Sequence, residues 1–181
     1  QMCIRDRINT AYINCKQTNT PYGVLTNIGK TYSAEWEKQI PSAGWRIDKV
    51  YSSLKEKADE NGGIAIVILD EIDTLVSKNG DEILYHLTGL NSDLDNSKIS
   101  IIGISNDAKF TSWLDPRVKS RLGEESLTFS PYNAPQIEDI LIQRARTAFK
   151  ENTVDPIVMT YCASKAAQEH ADARKAIDLL R

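Results

Sequence analysis

The run Ile64-Ala65-Ile66-Val67-Ile68-Leu69 leads straight into Asp70-Glu71, and nothing else in the chain constrains the fold as strongly. Six apolar residues after Gly62-Gly63 are short for a helix and suit a strand buried on both faces. Strands of that kind belong to parallel sheets, which need helical crossovers. A second run, Ile99-Ser100-Ile101-Ile102-Gly103-Ile104, ends in the same manner at Ser105-Asn106-Asp107.

The remaining pattern agrees with an α/β chain. A short strand is predicted over 11–15. A helix follows from Thr20 as N-cap, with Pro21 in its first turn and Val24, Leu25 and Ile28 as its stripe. Residues 35–47 are irregular. Helices are predicted over 47–61 and 81–90, a helical turn over 116–120 and a strand over 126–129. Strands alternating with helices imply a parallel sheet covered on both faces. Beyond Pro131 strands give way to helices over 134–150, 156–170 and 172–181. The expected domains are an α/β core over 8–130 and a helical subdomain over 131–181. Residues 1–7 carry neither periodicity and are set apart as an artefactual or disordered start.

Composition narrows the function classes. Of 181 residues, 41% are hydrophobic and 26% charged, as in a folded globular protein. The net charge of -3 provides no overall basic field, so contact with nucleic acid requires a local patch. Cys3, Cys15 and Cys162 lack paired spacing, which argues against a disulfide framework or a zinc site and fits a cytoplasmic location. His86 and His170 are too few for a histidine metal centre. No run is long enough to span a membrane.

Acids at the end of a buried parallel strand sit where open α/β sheets bind ligands. Asp70-Glu71 has the form of a Walker B segment. One acid is suited to a magnesium ion, and the next, pointing differently, to an attacking water. A solvated acidic turn would carry the same letters. Asp73 reads as a helix-start residue. Asn106 ends the second apolar run and could hold a water against a terminal phosphate, or simply form a turn. Arg117 and Arg121, four apart, share a helix face; a guanidinium there could reach a neighbouring subunit's phosphates or stay solvated. Arg174 follows the N-cap candidate Asp172. A cation in a first helical turn opposes the helix dipole, as a residue meant for an anion would.

Together these segments resemble the AAA+ ATPase region of archaeal replication initiators of the origin-recognition and cell-division-cycle type. The resemblance runs through Tyr12-Ile13-Asn14-Cys15, Thr18–Tyr22, Gly44-Trp45 to Tyr51, Leu69–Asp73, Ile101–Asp107, Asp115–Gly123, Pro131–Ala134 and Asp172–Ala176. It implies an AAA+ P-loop NTPase-like sheet followed by a helical lid, with ATP or ADP and Mg2+ as cofactors. Asp70 then resembles the magnesium-associated acid, Glu71 the water-activating one, and Asn106 the first sensor. Arg174 resembles the second sensor, and Arg117 or Arg121 the finger. Residues 35–49 resemble the insertion that lies against DNA, so that Lys38, Arg46 and Lys49 would meet phosphates. The implied partners are origin double-stranded DNA, the replicative helicase and other initiator subunits.

One motif is missing from the sequence. No G-x-x-x-x-G-K-[ST] occurs; Gly29-Lys30-Thr31 has Val24, not glycine, five positions earlier. The expectation is a fragment without its P-loop strand and without a following winged-helix domain, poorly stable alone and weak in ATP binding. The resemblance places the missing strand between the strand leading to Asn106 and that over 126–129. The competing expectation is a non-hydrolysing AAA+-like DNA-binding or scaffold protein. A clamp-loader-like machine is disfavoured by Gly44-Trp45.

Overall fold

The computed structural model describes residues 8–33, 40–41, 44–122, 125–150, 153–169 and 172–181. Two compact units divide the chain, Gln1–Ser126 and Leu127–Arg181. The first contains three parallel strands in the order β1-β2-β3: β1 (Ile8–Asn14), β2 (Gly63–Asp70) and β3 (Ser97–Ile104). In register, Asn14 lies opposite Asp70, and Asp70 opposite Ile104. The strand ends therefore form one edge, where the acids stand.

Local chemistry accounts for the connecting helices. The Thr20 side chain accepts from the Gly23 N–H at the start of α1 (Pro21–Lys30), which buries Val24, Leu25 and Ile28. Helix α2 (Ile47–Asn61) buries Val50, Leu54 and Ala58, and Gly62 ends it at φ +64, a conformation glycine adopts without strain. Then come α3 (Ile72–Asn79), α4 (Glu82–Asp93), the single turn α5 (Phe110–Trp113) and α6 (Pro116–Leu122). Helix α3 and the turn α5 extend what periodicity predicts. Eight and four residues are too few to display a helical stripe against a loop background.

Two expectations are corrected. Among the described residues the sheet is covered on one face only. Ala11, Ile13, Ala65, Val67, Leu69 and Ile99 are buried against the helices, whereas Tyr12, Ile64 and Ile102 on the opposite face are 62%, 49% and 48% exposed. Alternation along a strand separates the two sets, and β2 is apolar on both faces without being buried on both. Nor do residues 126–129 form a strand: they join no ladder, and Leu127 and Phe129 are exposed. An extended segment without a hydrogen-bonded neighbour is not a stable strand.

Among the described residues β3 pairs only with β2. At the start of its other edge the Asn91 side chain takes a neighbour's place. Its amide nitrogen donates to the Ile99 carbonyl at 2.7 Å, and its oxygen accepts the Ile99 N–H at 2.8 Å.

The second unit holds α7 (Ala134–Ala148), α8 (Pro156–Glu169) and α9 (Ala173–Leu180). Asn133 and Gln136 form a reciprocal capping box that starts α7. Ile137 and Leu141 pack with Cys162, Ala163, Ala166 and Ala176, whose small side chains let the three helices approach closely. No helix of the described residues is long and apolar enough to cross a membrane.

Candidate active site

Asp70 is the last residue of β2, and three groups fix it. Its carbonyl accepts the Cys15 N–H at 2.8 Å, its Oδ1 accepts the Glu71 N–H at 3.0 Å, and the Tyr12 hydroxyl donates to its Oδ2. The bond to this carboxylate raises the Tyr12 pKa above the usual phenol value. Each carboxylate oxygen keeps a lone pair after these contacts. A single hard oxygen donor with free lone pairs fits a magnesium ion that retains most of its waters. Among the described residues no group of three or more His, Cys, Asp and Glu comes together to enclose a metal. Among the described residues Asp70 is the candidate that would hold such an ion.

Glu71 follows in the left-handed conformation, φ 53 and ψ 44, the one non-glycine positive φ among the described residues. This turns the chain from strand into α3 and sends consecutive carboxylates in different directions. Glu71 Oε2 is shielded from solvent without a hydrogen-bond partner, and so is Asp73 Oδ1. A buried acceptor of this sort is costly until a donor satisfies it. Cys15 lies behind the acids. Burial, then the charges of Asp70, Asp73 and Glu71, push its thiol up to about 11, which leaves it protonated and unreactive at neutral pH.

Asn106 is exposed, two residues beyond Ile104, which is registered with Asp70. The sheet thus brings Asp70, Glu71 and Asn106 to one edge. Gly103 assists: a Cβ there would lie 3.1 Å from the Ile72 side chain, so its absence lets α3 seat closely over β3.

The two arginines of α6 differ in their surroundings. Arg117 grips Asp115 with Nε and Nη2, at 3.1 and 3.2 Å. The guanidinium holds the Asp115 carboxyl below the ordinary carboxylate range. Arg121 stacks instead on Tyr85, its Cζ 4.2 Å from the ring centroid. Arg174 is exposed in the first turn of α9, where the Asp172 side chain accepts its backbone N–H at 2.8 Å. It belongs to the second unit. Arg46 pairs with Asp48, and Lys49 lies over the Trp45 ring at 3.7 Å. Lys38 lies outside the described residues. Sequence reasoning missed Tyr12 and Tyr85. Tyr12 alternates outward between Ala11 and Ile13, but which acid it meets depends on strand register.

Comparison with known proteins agrees with this architecture. The family model described as the Cdc6 AAA+ ATPase-type lid domain matches residues 138–181. The ORC1-type DNA replication protein of Thermococcus onnurineus is 50% identical over 174 residues, 96% of this chain and 42% of that protein. The solved ORC1 protein of Aeropyrum pernix in complex with DNA superimposes with a TM-score of 0.82 at 41% identity, over 96% of this chain and 44% of that one.

The chain belongs to the archaeal Orc1/Cdc6 type of AAA+ replication protein.

An Orc1/Cdc6-type relative from Methanospirillum hungatei is 52% identical over 177 residues, again with 42% of its length covered. The chain thus spans about two-fifths of the curated Orc1/Cdc6-type relatives it matches. Its sheet and its helical lid unit are the architecture of that family.

Proposed function

We propose that the chain is the nucleotide-responsive part of an initiator that binds origin DNA, joins other initiator subunits and helps to load the replicative helicase. The observation that carries this reading is the shared strand edge, with Asp70 opposite Ile104, Glu71 turned aside by its left-handed backbone and Asn106 two residues further on. Bound Mg-ATP supplies the phosphoryl group and the cation that offsets its charge.

The chain's own residues divide the remaining work. Asp70 holds the ion's water shell through the lone pairs that Tyr12 and the Glu71 N–H leave free. Glu71 accepts a proton from the attacking water at its unpartnered Oε2. Asn106 orients that water or the terminal phosphate with its amide. Arg174 takes the second-sensor role, and an arginine of α6 serves a neighbouring subunit's nucleotide. Arg46, Lys49 and Lys38 meet DNA phosphates. Stacking on Trp45 orients the Lys49 ammonium for that task.

The test is a chimera in which this chain replaces the matching segment of the Thermococcus onnurineus protein. Glu71→Gln should retain nucleotide binding and lose turnover by about 100-fold. Unchanged steady-state hydrolysis would remove Glu71 from this role.

A further inference from the structure

Trp113 is an aromatic side chain that the core does not claim. It is 51% exposed, although Phe110 and Leu114 beside it are 8% and 6% exposed. An indole left in solvent is a large apolar surface with a polar edge, the kind of side chain that anchors contacts between proteins. It is nonetheless held in place. Its ring meets Phe110 edge to face, with centroids 6.5 Å apart and 74° between the planes.

Trp113 lines a cavity of about 540 Å³ together with Val76, Gly80, Asp81, Leu114 and Asp115. The two carboxylates differ. Arg117 already matches Asp115 with Nε and Nη2. Asp81 Oδ2 accepts the Asp115 N–H at 2.6 Å, which fixes that carboxylate, but among the described residues no cation forms an ion pair with it. Helix α3 ends at the same cavity. Gly80 follows its last residue at φ +75, and its N–H closes on the Val76 carbonyl at 2.8 Å. The carbonyls of that last turn are the negative end of the helix dipole. A Cβ at Gly80 would meet nothing within 4 Å, so the glycine leaves this side of the cavity open. Lys78, in the same turn, is exposed and outside the lining.

We infer that this cavity seats an arginine side chain carried on an extended segment of a partner protein. A guanidinium stacks on an indole and forks onto a carboxylate, and Trp113 and Asp81 offer those two contacts in one cavity. A metal ion is a poor occupant. It needs several hard oxygens, and here one unmatched carboxylate stands beside Val76, Leu114 and Trp113. The volume exceeds that of one guanidinium, so the backbone flanking the arginine enters with it. The chain's own net charge of -3 favours a basic partner over a second copy. The inference is independent of the nucleotide reading, because neither Trp113 nor Asp81 belongs to the proposed nucleotide site.

The probe is a Gly-Arg-Gly peptide with both ends blocked, titrated into the 15N-labelled chain. The Trp113 indole N–H and the Gly80 and Asp115 backbone N–H signals should move together. The same peptide with citrulline, which keeps the shape and loses the charge, should leave them still. Asp81→Asn keeps an acceptor for the Asp115 N–H and should weaken binding about fivefold. Trp113→Leu, read at Gly80 and Asp115, should weaken it by a similar factor, about fivefold. Dispersed backbone signals in each variant show that the fold persists, so a loss there is a loss of the site. Three signals unmoved by the arginine peptide, or moved equally by the citrulline peptide, overturn the inference. So does undiminished binding in both variants. Trp113 signals that move with a short DNA duplex and not with the peptide overturn the choice of a protein partner. Signals that shift on diluting the chain alone overturn it in favour of a second copy.

Discussion

Replacing Glu71 with glycine should make the chain more stable by about 1 kcal/mol while removing its candidate general base. The φ of 53 at this position costs a side-chain-bearing residue about 1–2 kcal/mol, which glycine does not incur. The shielded Oε2 lacks a partner, and deleting it recovers about 1 kcal/mol of desolvation cost. Two effects oppose. Glycine gains freedom in the unfolded chain, about 0.4–1 kcal/mol. A carboxylate at the start of α3 is lost, worth about 0.3–1 kcal/mol to the helix dipole. The favourable pair outweighs the unfavourable one. Urea unfolding followed by circular dichroism measures the difference, with Glu71→Ala as the informative control. Alanine removes the carboxylate and keeps the backbone strain, so Glu71→Gly should exceed it in stability. If Glu71→Gly is less stable than both Glu71→Ala and the parent chain, no strain is stored at the strand-to-helix turn and the reasoning fails.

Gly103→Ala should cost about 1–2 kcal/mol, because the new methyl meets an Ile72 side chain that is only 2% exposed; an unchanged urea midpoint would show that α3 yields freely. Cys15, with its thiol pushed up to about 11, should resist iodoacetamide at pH 8 until the core opens. Because the folded-state pKa is raised, this burial contributes stability below the ordinary thiol range near about 8.5 and loses it as pH rises through about 11. Rapid labelling under native conditions would contradict its burial. Calorimetric titration of the 181-residue chain with Mg-ATP should show weak binding or none, and tight stoichiometric binding would refute the dependence on a phosphate-cradling loop.

The elements with strong local signals were legible in the residues themselves. Thr20-Pro21 started α1, Gly62 ended α2, and the apolar runs before Asp70 and Asn106 proved to be adjacent parallel strands. The strand predicted over 126–129 failed because a strand depends on a neighbour, which local sequence cannot supply. The single buried face of β2 was illegible for a related reason: Ile64 and Ile66 are as apolar as Val67 and Leu69, and only the placement of helices tells them apart. Arg117 and Arg121 could not be told apart from spacing, because what separates them is Asp115 on one side and Tyr85 on the other.

The Asn91 amide on Ile99 acts as a ruler for the sheet. Backbone groups alternate sides along a strand, so with Ile99 occupied the next free pairs on that edge belong to Ile101 and Gly103. A strand arriving at β3 is therefore refused at the bottom and admitted at the top, beside the acids and Asn106. A slip by one two-residue step would have to evict Asn91 and strand a backbone donor and acceptor. One side chain on α4 thus sets the register in which any fourth strand can meet the acidic edge.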